Sequence, residues 1–259
     1  MNYSLIISDE DFVWSYSRIK SFEDCPYGWL LKYIKRLKGK EQFFSQYGSF
    51  NHLIHELYYS GDLTESETAD YYLFNFTDFV TAKAPSLKIY EKYFKAGANY
   101  WKNFSDRRDD VVGVEEEVEF TLDGKKFTGF VDLVRQNDKL SIVDHKSRDL
   151  KPRSGKSKPT ASDKELDAYF RQLYLYSVPI AEKFSQNIEE LSFNCFKENL
   201  IIKELFDEHK FEEAKQWALD NIQKITNNEE WKPKLDWFKC KYICDMSDEC
   251  EYFEMLGKK

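Results

Sequence analysis

The sequence predicts a mixed α/β fold, in which helices flank a central β-sheet and a helical region precedes that sheet. Three observations support this prediction: amphipathic helical periodicity over residues 64–105, strand-like alternation after Asp110, and a long helical pattern between two groups of alternating segments. The chain of 259 residues is 42% apolar, so it can bury a sizeable core. Its length fits one large domain, or one core with a smaller helical annex.

The N-terminal region is predicted to be helical. Ser15 or Ser17 is a candidate N-cap for a short helix, and Pro26 stands where a second helix can start. The stretch "FSQYGSFNHLIHELYYSG" predicts a further helix that carries His52 and His55. The aromatic stripes of the following helices are expected to pack in a core rather than to hold a cofactor, because apolar stripes at helical spacing usually face a core.

The central sheet is predicted to have five strands. The segment "VVGVEEEVEFTLDGKKFTGFVDLVRQNDKLSIVDHKS" alternates with period two and has turn signals at Asp123-Gly124 and Asn137-Asp138, which together predict a three-stranded meander. A polar loop and the helix "LDAYFRQLYLYSVPIAEKF" come next. The segment "IEELSFNCFKENLIIKELF" predicts two more strands, and "DEHKFEEAKQWALDNIQKI" predicts an amphipathic helix before a cysteine-bearing tail.

Charge is distributed unevenly along the chain. The net charge of −8 argues mildly against nucleic acid as a partner, but electrostatic attraction acts locally. Residues 14–40 carry seven basic and two acidic side chains, and residues 146–158 carry six basic and one acidic, so each run has a net charge of +5. Either run alone is more often a solvated loop than a binding surface.

Membrane and secreted proteins are disfavoured. A membrane span needs about 18 consecutive apolar residues, which the sequence lacks, and its first residues have neither the basic nor the long apolar region of a secretory signal. We therefore expect a cytoplasmic protein with no membrane partner. Five cysteines in that compartment indicate thiols or a metal site rather than disulfides.

Three charged side chains follow apolar residues in the predicted meander. Asp144 and Lys146 are two apart, so they project from the same face of a strand, and Asp132 lies on the preceding strand of the same hairpin. Two carboxylates at one place repel each other unless a cation lies between them. A divalent ion such as Mg²⁺ prefers oxygen ligands, and metal-assisted phosphodiester hydrolysis needs these groups. The alternative is a surface salt bridge at a strand end.

The same residues resemble a known family. "GFVDLV" followed by "LSIVDHKS" resembles the paired signature of the PD-(D/E)XK nuclease superfamily. Four further segments resemble its RecB/AddB-like branch, which includes CRISPR-adaptation nucleases that carry an iron–sulfur cluster. They are "RQLYLYS" for a Gln-x-x-x-Tyr motif, "YGSFNHLIHE" for a Gly-…-His segment, "VGVEEEVEF" for a glutamate-bearing strand, and "SYSRIKSFEDCPYGWLLKYI" for the N-terminal segment.

The resemblance covers Trp14 to Cys250 and implies a domain organisation. It implies a restriction-endonuclease-like core, with a central mixed β-sheet flanked by helices, in a single nuclease domain over residues 1–259. Within it we expect a helical N-terminal region (residues 14–105), a catalytic core (residues 110–225) and a C-terminal clasp that carries the cysteine cluster (residues 226–259).

The resemblance also implies roles for single residues. Asp132 and Asp144 would be metal ligands, and Lys146 the catalytic lysine. His52 would be a further ligand of Mg²⁺ or Mn²⁺, with His55 as a competitor for that role. Glu115 is the best match for the strand glutamate, although Glu116 and Glu117 adjoin it and alternation alone leaves open which of them faces inward. Gln172 and Tyr176, four apart on one helix face, would complete the catalytic set by contacting DNA or bracing the site.

The cysteines indicate a second metal site. Cys240, Cys244 and Cys250 lie close together in the sequence, and with the remote Cys25 they can form a Cys₄ site for zinc or an iron–sulfur cluster. The resemblance implies a 4Fe-4S cluster, with zinc as the alternative. The family usually has two residues between the first two clustered cysteines, whereas "CKYIC" has three. Cys195 is expected to be a buried apolar residue.

The loop after the third strand is expected to contact DNA. Its "RSGKS" is not a phosphate-binding loop, because the glycine required five residues before Gly155 is replaced by Leu150. Cationic side chains bind the DNA backbone without reading sequence, so we expect low specificity. The side chains predicted to do this are Lys151, Arg153, Lys156 and Lys158.

Together these observations predict a metal-dependent DNA nuclease, namely an exonuclease that acts on single-stranded ends. One alternative is a non-catalytic DNA-binding or assembly subunit that keeps the fold, and another is a zinc-stabilised RNA-processing enzyme. Repair, phage recombination and CRISPR adaptation all use the branch, so a recombination, helicase or CRISPR-adaptation protein is a candidate partner. The pathway, the cleavage polarity and the oligomeric state stay open.

Overall fold

A five-stranded mixed sheet with helices on both sides organises the chain. The computed structural model describes Ile7 and residues 12–257. The helices are α1 (Tyr16–Asp24), α2 (Pro26–Trp29), α3 (Phe43–Ser60), α4 (Glu65–Phe79), α5 (Leu87–Lys102), α6 (Ala161–Phe184), α7 (Glu208–Thr226) and α8 (Trp237–Tyr242). The strands are β1 (Val111–Leu122), β2 (Lys125–Gln136), β3 (Leu140–His145), β4 (Ile188–Cys195) and β5 (Leu200–Leu205).

The strands follow one another across the sheet in sequence order. β1, β2 and β3 form an antiparallel meander, β3 and β4 are parallel, and β4 and β5 are antiparallel. A parallel pair needs a long crossover connection, which the 24-residue helix α6 supplies. The predicted fold class, with its meander, its two further strands and its helical N-terminal region, is confirmed.

Local sequence sets the helix starts in the N-terminal region. The Ser15 hydroxyl caps α1 by accepting from the backbone N–H of Arg18 at 3.2 Å, so Ser15 rather than Ser17 is the cap. Pro26 occupies the first turn of α2, where its missing N–H costs nothing. After Trp29 the helix continues as one π-helical segment, Leu30–Ile34.

Two apolar cores lie on either side of the sheet. The larger core joins the sheet to α1, α6 and α7. The second core lies among α3, α4 and α5 and is built almost entirely from rings. Its fully buried members are Phe43, Tyr47, Phe50, Ile54, Tyr72, Phe76, Trp101 and Phe196. The aromatic stripes of the N-terminal helices therefore pack as predicted.

Strands β1 and β2 change faces where Glu115 lies opposite Asp132. Val131 belongs to the larger core, whereas Leu133, two residues later, packs against α3. Strict alternation would place both side chains on one face. Glu115 has a left-handed backbone with φ of 48°, which non-glycine residues adopt only at a cost of about 1–3 kcal/mol. This irregularity places the carboxylates of Glu115 and Asp132 at the point where the two strands turn from the larger core towards α3.

The C-terminal segment packs against the first helices. Trp231 stacks on Trp29 with ring centroids 5.4 Å apart and an interplanar angle of 9°. Tyr27 donates to the Glu251 carboxylate at 2.7 Å. The Gln42 amide donates to the carbonyl oxygen of Cys244 at 2.9 Å, just before α3 begins. Within Ile7 and residues 12–257, no helix is both long and apolar enough for a membrane span.

Candidate metal and catalytic site

Helix α3 and strands β1 and β2 bring three ligand-bearing side chains together. The ligand atoms of His52, Glu115 and Asp132 all lie within 4.8 Å of one another. His52 Nδ1 is 3.4 Å from Asp132 Oδ2. Two carboxylates and an imidazole suit Mg²⁺ or Mn²⁺, which take oxygen and, for manganese, imidazole ligands. Among the described residues, these three side chains form the group whose ligand atoms lie close enough together to share one ion.

The carboxylates of this group are crowded. Burial, reinforced by the charge of Asp144, raises the pKa of Asp132, while His52 and Lys146 act in the opposite direction. Burial also raises the pKa of Glu115. Both groups are therefore held in surroundings that disfavour their ionised forms, which is what a bound cation would reverse.

Asp144 lies beside this group rather than within it. Its Oδ2 is 2.7 Å from Lys146 Nζ, but it is buried and has no aligned hydrogen-bond donor among the described side chains and backbone. Lys146 Nζ also donates to Gln172 Oε1 at 3.3 Å. The predicted convergence of Asp144 and Lys146 is present as an ion pair.

The backbone of His145 joins the ligands, a contribution that the sequence did not reveal. Its N–H donates to Asp132 Oδ2 at 2.6 Å, and its carbonyl oxygen lies 2.7 Å from His52 Nε2. A hydrogen bond from Nε2–H of His52 to this carbonyl oxygen fixes the ring so that Nδ1, the nitrogen that faces Asp132, is the one able to bind a metal. Backbone groups have no signature in the sequence. Only the position of His145 between Asp144 and Lys146 could have indicated that its backbone contributes to the site.

His55 does not compete with His52. Its ring stacks on that of His145, with centroids 3.8 Å apart and planes within 2°. Both rings are buried, and burial lowers the pKa of each well below its ordinary value. The stack therefore joins α3 to β3 directly behind His52.

The three glutamates of β1 have different surroundings. Glu115 faces His52, Glu116 pairs with Lys183 of α6, and Glu117 is exposed. The change of face at Glu115 explains this result, because neighbouring residues no longer follow simple alternation. Glu115 is the member that can bind a metal, in agreement with the best match in the sequence.

Helix α6 closes the site from the other side. Tyr176 is 3% exposed and packs over Gly129, where an added Cβ would lie 2.2 Å from its Cζ atom. Burial raises the pKa of Tyr176 to about 12. Tyr176 therefore braces β2, the strand of Asp132, and has no surface with which to contact DNA. Gln172 braces Lys146, because its Oε1 accepts a hydrogen bond from Lys146 Nζ.

A cavity of about 460 Å³ is lined by all four predicted cluster cysteines, Cys25, Cys240, Cys244 and Cys250. The backbone N–H groups of Gly28 and Lys234 both donate to Cys25 Sγ at 3.4 Å. Burial, together with Asp245 and the sulfurs of Cys25 and Cys240, raises the pKa of the Cys244 thiol to about 11. Cys195 is fully buried, as predicted. The four cysteines thus line one cavity, although among the described residues no three of their sulfurs lie within 4.8 Å of one another.

The basic loop after β3 is partly neutralised. Arg153 pairs with Asp167 at 2.7 Å and with Glu204 at 2.6 Å, so it fixes the loop to α6 and β5. Lys151, Lys156 and Lys158 are exposed. Four basic side chains of this loop were predicted to contact a phosphate backbone. The three lysines are exposed as that prediction requires, whereas Arg153 is held in ion pairs.

An open groove of about 430 Å³ lies beside the metal ligands. It is lined by Phe44, Ser45, Gly48, Ser49, His52, Leu53, Glu56, Glu115 and Ser147. A Cβ at Gly48 would lie 3.3 Å from Ser147 Oγ, so α3 and the end of β3 approach closely at this point. The groove gives a substrate access to the ligands.

Known proteins resemble this chain over almost its whole length. The family model of the PD-(D/E)XK nuclease superfamily matches residues 13–251. A crystal structure named "Putative exonuclease" from Eubacterium rectale shares the fold, with a TM-score of 0.50 and 16% identity over 100% of this chain and 93% of that chain. The crystal structure of SSO0001 matches 54% of this chain and 60% of its own, with 22% identity and a TM-score of 0.28. No curated protein matches significantly.

The family match includes every ligand and every cysteine of the two sites. The mixed five-stranded sheet between helices is the architecture expected for that family. The chain belongs to the PD-(D/E)XK nuclease superfamily.

Proposed function

We propose that this chain is a metal-dependent deoxyribonuclease of the RecB/AddB-like branch, an exonuclease that degrades single-stranded DNA ends with little sequence specificity. The observation that carries the proposal is the meeting of His52, Glu115 and Asp132 at one point, with the Asp144–Lys146 pair beside it. A structural salt bridge at a strand end would need none of the three converging ligands.

The residues divide the chemistry among them. A bound Mg²⁺ or Mn²⁺ would polarise a phosphoryl oxygen and lower the pKa of a water. His52, Glu115 and Asp132 would hold it, with Asp144, which pairs with Lys146 beside them, as a further ligand. The Lys146 ammonium is held by Asp144 and Gln172, so it is positioned to neutralise charge on a phosphate or to orient a water.

The preference for free, single-stranded ends rests on the groove. Its walls approach closely at Gly48 and Ser147, beside the ligands. The groove is open to solvent, so the free end of one strand can reach the ligands. The name of the Eubacterium rectale structure, "Putative exonuclease", is consistent with this choice.

For the cysteine site we propose a 4Fe-4S cluster, with zinc as the alternative. Thiols whose pKa is raised by burial and by each other need a cation to become thiolates. The backbone N–H groups that face Cys25 Sγ are the kind of donor that tunes cluster sulfurs. Anaerobic purification with iron and sulfide quantification distinguishes a cluster from zinc.

A cleavage assay tests the proposed activity. Linear single-stranded DNA, labelled at one end, is incubated with Mn²⁺ and the wild-type chain, Lys146→Ala or Lys183→Ala. Lys183 is a matched control, because it is a lysine in an ion pair with Glu116 on the far side of β1. We expect wild type and Lys183→Ala to degrade the DNA, and Lys146→Ala to be slower by about 10²–10³.

Circular single-stranded DNA completes the assay, since an exonuclease leaves it intact. Equal cleavage by wild type and Lys146→Ala would contradict the catalytic assignment. A wild-type chain that binds DNA but never cuts it would favour the non-catalytic subunit. Cleavage of RNA in preference to DNA would favour the RNA-processing alternative.

A further inference from the structure

The short helix α8 presents aromatic and cationic side chains to solvent next to the groove of the proposed metal site. Residues 232–241 contain four lysines and one aspartate, interleaved with Trp237 and Phe238. Phe238 is 43% exposed. Such a face needs a partner or a function.

The rings of α8 form a small cluster. Phe238 and Tyr242 have centroids 5.4 Å apart, and Trp237 and Tyr242 have centroids 5.6 Å apart. Lys241 Nζ lies 4.7 Å from the Trp237 ring centroid and 5.3 Å from that of Tyr242. Within the described part of the chain, Lys239 and Lys241 have no carboxylate within ion-pair distance, so both charges are available.

This cluster is continuous with the groove. Phe238 lies 6.0 Å, between ring centroids, from Phe44 of α3. Phe44 in turn lines the groove that contains His52 and Glu115. Helix α8 is fixed there by its own cap, in which Asp236 Oδ1 accepts from the N–H of Lys239 at 2.8 Å, and by Cys240, which belongs to the cysteine site.

We propose that the Trp237–Phe238–Tyr242 cluster is a stacking platform for the bases of single-stranded DNA on its way to or from the metal site. The inference rests on the proposed nuclease function and adds to it the surface that selects single strands. Exposed rings stack on any base, and adjacent lysines attract the phosphates between bases. A base-paired duplex hides the faces of its bases, so the platform discriminates against it.

The charge of the face favours this occupant over a protein partner. An apolar protein interface is depleted in lysine, whereas a single-strand binding surface combines lysines with rings. Lys239 and Lys241 flank Cys240 on α8 itself, which puts the cations within one helical turn of the rings. The spacing between phosphates and bases along one DNA strand is comparable with this spacing between the lysines and the rings.

Binding is measured by fluorescence anisotropy with a labelled oligothymidylate of about 15 nucleotides. The full chain carries Lys146→Ala so that the DNA survives. Into this background we introduce Phe238→Ala, the conservative Phe238→Tyr, and Phe74→Ala. Phe74 is a matched control, since it is 78% exposed but lies on α4, outside the groove lining. Near-ultraviolet circular dichroism and iron content verify folding.

We expect Phe238→Ala to weaken single-strand binding by on the order of tenfold, Phe238→Tyr to restore it, and Phe74→Ala to match the parent. Binding to a duplex of equal length changes less than twofold. Lys241→Gln lowers the salt dependence of single-strand binding by about 0.7 in the logarithmic slope, the value for one lost phosphate contact. Equal affinities for Phe238→Ala and Phe74→Ala, or equal losses for duplex and single strand, overturn the inference.

The two proposals can fail separately. Suppose that the wild-type chain, which has Lys146, cuts DNA, while the Phe238→Ala variant binds single strands as well as Phe74→Ala does. That result overturns the stacking platform and leaves the nuclease proposal standing. A chain that never cuts DNA but loses single-strand affinity in Phe238→Ala overturns the nuclease and leaves the platform as a binding surface.

Discussion

Crowded acids dominate the chemistry of the metal site. Asp132 shares its surroundings with Glu115 and Asp144, and its pKa rises because it is buried and because another carboxylate is near. His52 and Lys146 offset part of that effect. A divalent cation removes the repulsion more completely than one lysine can, so we expect the site to bind Mn²⁺ without large movement of its ligands.

His145 is expected to position the ligands through its backbone. Its ring is held between His55 and an amide of Asn194, which lies 3.0 Å from Nδ1. His145→Ala should weaken Mn²⁺ binding by on the order of tenfold, because the backbone that contacts Asp132 and His52 loses its anchor. His145→Phe keeps a flat ring and should lose less. Electron paramagnetic resonance titration of free Mn²⁺ measures the affinity.

A distant core variant controls for loss of stability. Phe211→Ala removes a ring that is 7% exposed on α7, far from the ligands, and should lower the melting temperature while Mn²⁺ affinity stays at the wild-type value. Equal Mn²⁺ affinities of His145→Ala and wild type would contradict the positioning role.

Gly129 is required because Tyr176 occupies the space of its missing side chain. An added Cβ would lie 2.2 to 2.6 Å from three atoms of that side chain. Gly129→Ala should therefore reduce the free energy of unfolding by about 1–3 kcal/mol. Urea denaturation measures the change.

The double variant Gly129→Ala/Tyr176→Ala tests the cause. Its loss should be smaller than the sum of the two single losses, because the clash disappears with the ring. Gly48→Ala is a milder comparison, since its Cβ would only approach Ser147 Oγ to 3.3 Å. Strictly additive losses would contradict the proposed clash.

Helix α6 begins at a capping box that also fixes the basic loop. The Asp163 carboxylate accepts from the N–H and hydroxyl groups of both Thr160 and Ser154, at 2.7 to 2.8 Å. These hydrogen bonds lower the pKa of Asp163 below its ordinary value. The charged form therefore stabilises the folded state, together with the loop that carries Lys151, Lys156 and Lys158.

The lowered pKa of Asp163 predicts a pH dependence. A depressed folded-state pKa contributes stability that is fully present above the unfolded value of about 3.9 and is lost as pH falls through the folded value. Asp163→Asn should thus be less stable than wild type over roughly pH 5 to pH 8, the range above that value, and the difference should shrink on further acidification. Urea midpoints measured across this range test it.

A difference between wild type and Asp163→Asn that grew on acidification would contradict the sign. Asp167→Asn serves as the control, because Asp167 lies on the same helix but its side chain is 43% exposed and, among the described residues, its ion pair is with Arg153 alone. Its effect on the urea midpoint should be small, as for other exposed ion pairs.

The chain as a whole is closed by contacts between its two ends. One cavity brings Cys25 near Cys240, Cys244 and Cys250, and Trp29, which also lines it, stacks on Trp231. Closing a loop of roughly two hundred residues removes on the order of 5 kcal/mol of unfolded-chain entropy in the chain-entropy model. Metal at this site is therefore expected to stabilise the protein as a whole.

Cys244→Ser tests this expectation. We expect it to lower the iron content and to reduce the free energy of unfolding by a few kcal/mol, on the order of the loop-closure value. Cys195→Ala is the control, because Cys195 is fully buried on β4 and lines no part of the cysteine cavity, so it should keep its iron. Wild-type iron content in Cys244→Ser would contradict the assigned ligand set.

Much of the architecture could be predicted because it depends on local chemistry. Period-two alternation and the turn at Asp123-Gly124 indicated the strands, and Ser15 and Pro26 marked helix starts. The i, i+2 relation predicted that Asp144 and Lys146 meet, as they do at 2.7 Å. Each of these features involves residues a few positions apart.

The remaining features depend on residues far apart in the chain. The change of face at Glu115, the backbone contacts of His145 and the two acidic partners of Arg153 arise from packing against α3, α6 and β5. Hydrophobic pattern fixes which elements form, but the free energy that selects one register, one rotamer and one ion pair comes from contacts made only after those elements assemble. Sequence therefore indicated the candidate acids and thiols, while tertiary packing decided that Glu115 and Asp132, rather than Asp144, lie with His52 at one point.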